Sequence, residues 1–464
     1  MNFKRFLRYA FMAVLAVSAT DAAASNIDAD AARMAASNFL KQHAAATPSF
    51  RASALADVRL AHAESSKVDG NAYYVFNVEG GGWVIIAGDD RANQVLAYGD
   101  KGSIDMSNLP VNMKGYLDMY KNQIETIQAS KVEIPSFRSN NRTQTVDVML
   151  TTDWAQSNPY NQQCVINGQT CSVGCAGLAM AQILNYWEYP KETDGVPTYY
   201  NTKSFSWVPA LPATTFNYDS IVDHYTVWYE GQLYLTRTTD NQKQELAKLC
   251  RYSAQACEMG FTPNGSGSDV LRQYKGFLKL DYSTEAKLVG IEAWPTRETW
   301  NTTDYTNEEW VELINAQLLA GHPIPYSSEG GQEGHAFVID GLDANGLYHV
   351  NWGWWGLGDG WFQFGAFNVT ILDEYLEYND GLFMVIDLFP YEGYVSPNAP
   401  TSVELGDVTG NGEIAIDDVT ALINFLLTGD DTGIDVVAAD CNKNGEADIE
   451  DVALLLNYLL TGNW

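Results

Sequence analysis

Cys175 heads the run Gly174-Cys175-Ala176-Gly177-Leu178-Ala179-Met180-Ala181-Gln182-Ile183-Leu184-Asn185-Tyr186-Trp187, a glycine turn followed directly by good helix formers. Met180, Ile183, Leu184 and Trp187 recur near the helical period, and Tyr189-Pro190 ends the pattern. The spacing predicts a helix whose first turn carries the cysteine. Unpaired backbone N–H groups and the helix dipole favour a thiolate there, so a lowered pKa and a nucleophilic role are expected. Such a nucleophile needs a base. Gly334-His335-Ala336-Phe337-Val338-Ile339-Asp340-Gly341 supplies one, a histidine that opens an apolar strand. A turn at 341–346 leads to a second strand, Leu347-Tyr348-His349-Val350-Asn351-Trp352, and a hairpin of this form brings Asn351 or Trp352 toward His335. Cysteine and histidine together can carry out acyl transfer through a thioester. His349 lies in the same strand without a motif of its own and reads as structural.

Four segments, in order, carry a resemblance. They are Trp154-Ala155-Gln156-Ser157-Asn158-Pro159-Tyr160-Asn161, the Gly-Cys-Ala run closing on Asn185-Tyr186-Trp187-Glu188-Tyr189-Pro190, the segment around His335, and Tyr348-His349-Val350-Asn351-Trp352-Gly353-Trp354. Together they resemble the streptopain family of papain-like bacterial cysteine peptidases, over about residue 145 to about residue 390. The resemblance implies an α+β fold, with a helical lobe carrying Cys175 and a β-rich lobe carrying His335. It also implies that Gln156 donates its side-chain amide to the oxyanion beside the Cys175 N–H, and that Asn351 and Trp352 support the histidine. Trp355 stands where the family usually has glycine. The stretch Phe261-Thr262-Pro263-Asn264-Gly265-Ser266-Gly267-Ser268 resembles the glycine- and serine-rich loop lining the family's substrate cleft, with Tyr326-Ser327-Ser328 just before the histidine loop. An apolar substrate side chain one residue removed from the scissile position is implied.

Several elements must surround these groups. Residues 1–24 begin with Lys4, Arg5 and Arg8, continue through an apolar run from Tyr9 to Val17 and end in small residues, which is the pattern of a secretory signal peptide. The first cysteine after it is Cys164, so no lipid-attachable cysteine follows the signal, and a secreted bacterial protein, extracellular or periplasmic and without a membrane span, is expected. Residues 25–144 read as a small α+β unit: a helix from Ala31 to His43 capped by Asp30, strands Tyr73–Val78 and Trp83–Gly88 about a glycine turn, and a helix from Asn112 to Ser130. The polar stretch Pro135-Ser136-Phe137-Arg138-Ser139-Asn140-Asn141-Arg142 reads as a cleavage zone. Tyr73 to Gly102 is similar to the inhibitory propeptide of the same family, which implies a zymogen whose prodomain disturbs the Cys–His pairing.

In the core, residues 145–395, a further helix is expected at Gln242 to Met259. Strands are expected at 287–291, 323–326, 335–340, 347–352, 360–364 and 381–388. Cys164 and Cys171 could close a small loop, Cys175 is expected to be unpaired, and Cys250 and Cys257 lie too far apart along one helix axis to bond.

Beyond the linker at 396–404, residues 405–464 repeat one loop–helix unit at an offset of 33 residues. Oxygen-bearing side chains fall at loop positions one, three, five and twelve: Asp407, Thr409, Asn411 and Asp418, then Asp440, Asn442, Asn444 and Asp451. Glycine stands at position six, and the backbone carbonyls of Glu413 and Glu446 are available at position seven. This is calcium-binding spacing, with Ca2+ as a structural ion of the tail and no cofactor needed for catalysis. Thr409 replaces the usual Asp or Asn and marks the weaker site. The tandem looks like a type I dockerin, which implies a cohesin-like protein partner.

The whole chain, 464 residues that are 46% hydrophobic and 12% aromatic, has material for more than one core. A net charge of -31 argues against nucleic acid or an anionic membrane as partner. The expected function is therefore a secreted cysteine endopeptidase made as a zymogen and acting on protein or peptide substrates. Two other functions fit parts of the pattern: an exported scaffold with an inactive peptidase-like core, and a Cys–His cell-wall amidase.

Overall fold

The computed structural model describes residues 26–46, 58–130, 145–229, 232–291, 305–328, 335–366, 382–391, 394, 396–397, 405–409, 414–428, 434, 436–442 and 447–462. The expected signal peptide, the cleavage zone and most of the second linker lie outside these residues.

The amino-terminal unit is a four-stranded antiparallel sheet with a helix on each face. Helix α1 (Ala29–Ala46) starts where Asp28, not the expected Asp30, accepts from the Ala31 N–H at 2.8 Å; Asp30 falls inside the first turn. Strands β1 (Val58–Ser65), β2 (Asn71–Val78), β3 (Trp83–Ala87) and β4 (Val95–Gly99) pair in sequence order. Alternation along β2 divides the packing: Tyr74 and Phe76 join Ala32, Ala36 and Leu40 of α1, while Tyr73 and Val75 join Met113, Leu117, Tyr120 and Ile124 of α2 (Val111–Ala129).

The core begins with α3 (Cys175–Trp187), which is buried along nearly its whole length. A two-stranded hairpin follows, β5 (Tyr199–Asn201) with β6 (Ser206–Val208). Helix α4 (Asp240–Ala256) starts in a capping box between Thr239 and Gln242, and it packs closely on α3, since a Cβ on Gly177 would lie 2.8 Å from the Ala254 Cα. Then come α5 (Val270–Lys279), β7 (Lys287–Ile291), α6 (Asn307–Leu319), β8 (Ile324–Ser328), β9 (His335–Leu342), β10 (Tyr348–Asn351), β11 (Gly360–Phe362) and β12 (Leu382–Ile386).

All the pairings are antiparallel, and the strands of the two units form one ten-stranded sheet in the order β1-β2-β3-β4-β11-β10-β9-β8-β12-β7. The seam is the pairing of β4 with β11, Trp361 opposite Tyr98 and Phe362 opposite Ala97. The amino-terminal unit thus covers what would otherwise be an open sheet edge of the core. Helices against a mainly antiparallel sheet make the fold α+β, as the sequence suggests.

All six cysteines are free thiols. The closure considered for Cys164 and Cys171 is not formed. Their backbones meet through Cys171 N–H to the Cys164 carbonyl at 2.8 Å, but the Cys171 sulfur turns toward the Gln169 carbonyl. Among the described residues no helix is long and apolar enough to cross a membrane.

The tail has its own core. Helix α7 (Ile416–Thr428), the short α8 (Val436–Ala439) and α9 (Ile449–Thr461) bring Val408, Val419 and Leu422 of one repeat against Cys441, Val452 and Leu455 of the other.

Candidate active site

The position of Cys175 is fixed by a residue that must be glycine. Gly174 has φ of 85°, and a Cβ there would stand 2.5 Å from the Met259 sulfur and 3.1 Å from the Ser266 carbonyl oxygen. The chain turns at this point into α3, and the Cys175 sulfur receives backbone N–H groups from its own helical turn and from Ala336. Ala336 follows His335, so the helix start and the head of the histidine strand meet at the sulfur.

The expected low pKa of Cys175 is corrected here. Burial pushes the thiol up, and the N–H groups of Ala336, Ala176 and Cys175 with the charge of Lys203 oppose that without reversing it. A helix terminus favours a thiolate only as far as desolvation allows, and in this precursor desolvation wins.

Gln156 lies alongside. Its carbonyl accepts from Val173 N–H at 3.0 Å, and its Oε1 accepts from Ser172 Oγ at 3.4 Å, which leaves Nε2 to donate. Both bonds are to residues just before Gly174-Cys175. The cleft loop is joined to the same place: Ser172 N–H donates to the Thr262 carbonyl at 3.2 Å, and Gly260 N–H to the Gly267 carbonyl at 2.8 Å. Tyr326, by contrast, is buried core, and its hydroxyl accepts from Trp310 Nε1 at 2.9 Å.

The β9–β10 register puts Asn351 opposite Val338, three residues beyond His335. Strand alternation then turns Asn351 toward α3 and away from the face of Phe337 and His335. Its Nδ2 donates to the Thr152 carbonyl at 2.7 Å, and its Oδ1 accepts from Gln182 Nε2 at 3.3 Å and from Gly353 N–H at 3.0 Å. These bonds tie the strand end to the helical lobe. Trp352 lies on the other face, fully buried, 4.8 Å from the Phe337 ring. Trp355 has φ of 56°, in the left-handed region that favours glycine, and its N–H donates to the Trp154 carbonyl at 3.2 Å.

His349, which the sequence presents as structural, has a partner that the sequence does not show. His349 Nδ1 lies 2.6 Å from the Asp340 carboxylate, with Trp361 edge-on at 5.2 Å. Burial would lower the His349 pKa, but Asp340 and then Asp359 outweigh it, and the pKa is raised. Burial pushes Asp359 up to about 7, although it accepts from Trp352 N–H. The pairing of Asp340 with His349 depends on the bulge between Ile339 and Gly341, which no spacing rule reveals.

The amino-terminal unit reaches this region from behind. Tyr116 of α2 packs on Trp352 at 5.9 Å and donates to the Gln363 carbonyl at 3.0 Å. Asn93 N–H donates to the Ala366 carbonyl, whose own N–H donates to Gln123 Oε1. Tyr98 donates to the buried Asp343 carboxylate at 3.0 Å, and burial raises the pKa of that acid.

In the tail, Asp418 is fully buried and its Oδ1 accepts from both N–H and Oγ1 of Thr409, at 2.8 and 2.9 Å. Asp451 repeats this with the Asn442 N–H at 2.9 Å, and Asp407 is buried as well. Asp440 begins the second loop; Asn411, Glu413, Asn444 and Glu446 lie outside the described residues. Buried carboxylates folded back onto loop position three fit a bound cation.

Residues 154–362 match the Peptidase C10 family, residues 24–124 the Spi protease inhibitor and residues 405–460 the dockerin type I domain. The catalytic segment is a Peptidase C10 domain. The chain is 28% identical to streptopain of Streptococcus pyogenes over 335 residues, 66% of this chain and 77% of that protein. Against the thiol protease/hemagglutinin PrtT of Porphyromonas gingivalis it is 26% identical over 321 residues, 64% of this chain and 34% of that one. A mutant prointerpain A fragment of Prevotella intermedia superimposes with a TM-score of 0.55 at 25% identity, covering 71% of this chain and 98% of the fragment. The protein is a cysteine endopeptidase made as a zymogen, with an inhibitory propeptide domain before the catalytic domain and a dockerin domain after it.

Proposed function

We propose that Cys175 is the nucleophile and His335 its base in hydrolysis of extended polypeptides. The observation that carries this is the meeting of the Cys175 sulfur, at a helix start, with the backbone of the His335 strand. His335 takes the thiol proton and the thiolate attacks the scissile carbonyl carbon. The oxyanion is held by Cys175 N–H and Gln156 Nε2. The imidazolium then protonates the leaving amine, and water, deprotonated by His335, hydrolyses the thioester and frees Cys175. Asn351 and Trp352 support the strand end from its two faces.

In this reading the prodomain, residues 25–144, is removed by cleavage within 135–142, ahead of a core of 145–395. Export follows from the amino-terminal signal, and the protein works outside the cytoplasm. Each tail loop takes one Ca2+, held by Asp407, Thr409, Asn411, Asp418 and the Glu413 carbonyl, and by Asp440, Asn442, Asn444, Asp451 and the Glu446 carbonyl; the ion neutralises the buried acids and fixes the loop. A cohesin-like partner is supported by apolar side chains left exposed at matching places in both repeats: Ile416, Ile423 and Leu427, with Ile449, Leu456 and Leu460.

Titration of the matured enzyme with a thiol-blocking reagent, followed by casein digestion, tests the mechanism. One equivalent bound at Cys175 should abolish digestion. Digestion that survives full modification of Cys175 would remove it from the chemistry, and release of cell-wall peptides without casein cleavage would favour the amidase.

A further inference from the structure

The wall of the cleft beside Cys175 carries a lysine, Lys203, whose charge is felt by the thiol but which takes no part in the proton transfers. The β5–β6 hairpin is pinned to the cleft loop, with Tyr199 Oη donating to the Met259 carbonyl at 2.6 Å and Asn201 Nδ2 to the Phe261 carbonyl at 3.1 Å. At the tip, Asn201 Oδ1 accepts from Lys203 N–H at 2.9 Å and Ser204 N–H at 3.2 Å, a turn that fixes where Lys203 leaves the backbone. The lysine methylenes lie on Gly260, where a Cβ would meet its Cγ and Cδ at 3.0 Å. Its Nζ sits over Gly267, 2.9 Å from where a Cβ would stand. Gly267 adjoins Ser266, whose carbonyl abuts Gly174, so the ammonium is held beside the loop that borders the nucleophile.

This ammonium, like that of Lys275, stands outside the ion pairs of the domain's described residues. Lys191, Lys243, Lys248, Lys279 and Lys287 of the same domain each pair with a carboxylate. Lys203 is exposed and its side chain has no hydrogen-bond or ion-pair partner among the described residues. With 58 acidic residues against 27 basic ones, partners are plentiful elsewhere in the chain. The same hairpin leaves Tyr200, Phe205 and Trp207 exposed, and Tyr200 and Trp207, in edge contact at 5.6 Å, share the strand face opposite to the one that Tyr199 and Asn201 turn to the cleft loop.

We propose that Lys203 is a specificity-determining residue that selects polypeptides bearing an aspartate or glutamate within about three residues of the scissile bond, the reach of an extended chain across this wall. The proposal deepens the peptidase reading and rests on Cys175 as its reacting centre.

The test uses the full chain after self-processing and a set of fluorogenic peptides that differ only by Glu, Gln or Lys at each position on either side of the cleaved bond. At one position Glu should exceed Gln in kcat/KM by roughly three- to tenfold, as for an exposed charge pair, with the preference shrinking at high salt. Lys203→Met should abolish the ratio, and Lys203→Glu should turn it in favour of Lys. The readout is a ratio within each variant, so a loss of active enzyme does not obscure it. Cleavage that is indifferent to charge at every position, or a preference that survives in Lys203→Met, overturns the proposal alone. Failure to cleave any peptide overturns it together with the peptidase reading.

Discussion

At the scale of one residue, Cys175 is under two opposed influences. N–H groups at the start of α3 and from Ala336 pull its pKa down, while burial pushes it up further. The precursor therefore holds a protonated thiol, and iodoacetamide at pH 7 should alkylate Cys175 faster in the mature enzyme than in the precursor; equal rates would detach latency from the thiol's surroundings. Gln156→Ala should lower kcat/KM about 10²- to 10³-fold, on the order of 3 kcal/mol, with alkylation of Cys175 unchanged. Asn351→Ala separates two roles. Its bonds to Thr152 and Gln182 predict a loss of about 2 kcal/mol in stability, seen in the unfolding midpoint, with a smaller loss of kcat; the reverse pattern would restore it as the orienter of His335. The helix start at Cys175 and the strand head at His335 were legible because their signals are local, a glycine turn into a helix and a histidine opening an apolar strand. The direction of the Asn351 side chain was not, because it depends on the register with Val338.

At the scale of elements, the seam of β4 with β11 joins inhibitor to enzyme. Gly360 lies on it, and a Cβ there would stand 2.5 Å from the Tyr98 carbonyl oxygen and 2.9 Å from the Trp83 ring. Gly360→Ala should weaken docking by about 1–3 kcal/mol and speed conversion of the precursor, read on a gel. Unchanged conversion would contradict inhibition through this edge.

The acids and histidine behind the seam add a pH dependence. His349 has a raised pKa, so its contribution is complete below its unfolded value of about 6.5 and is lost as pH rises through the folded value. Asp359, raised to about 7, and Asp343, also raised, act in the same direction, their contribution falling from about pH 4 upward. The uncut precursor should thus unfold at a higher temperature at pH 5 than at pH 8, and His349→Gln should flatten the difference. A difference that is reversed, or unaffected by His349→Gln, would remove this cluster as its cause.

The seam was hidden in the sequence, since its strands are more than 250 residues apart and each reads only as a short apolar run. Helix α6 was not hidden: Thr306 and Glu309 form a capping box ahead of Trp310, Val311, Ile314 and Leu318, a signal that was present and went unread.

At the scale of the whole molecule, three units with separate tasks are carried on one chain, and the tail is the most independent, having a core of its own. Chelation should expose α7 and α9 to limited proteolysis while leaving peptidase activity in place, and a tail equally resistant with and without calcium would count against the loops as ion sites. The division into units was readable from composition, repeats and turn signals, whereas their joining was not, because one ten-stranded sheet runs through two of them. Inhibitor and enzyme thus share one sheet, and in the proposed reading the enzyme's own cut releases one from the other. The direct measurement is the amino-terminal sequence of the chain and of its Cys175→Ala variant after secretion. The unaltered chain should begin within 135–142 or just after it, and Cys175→Ala should keep its prodomain; a Cys175→Ala product trimmed to the same residue at the same rate would contradict self-activation by this cysteine.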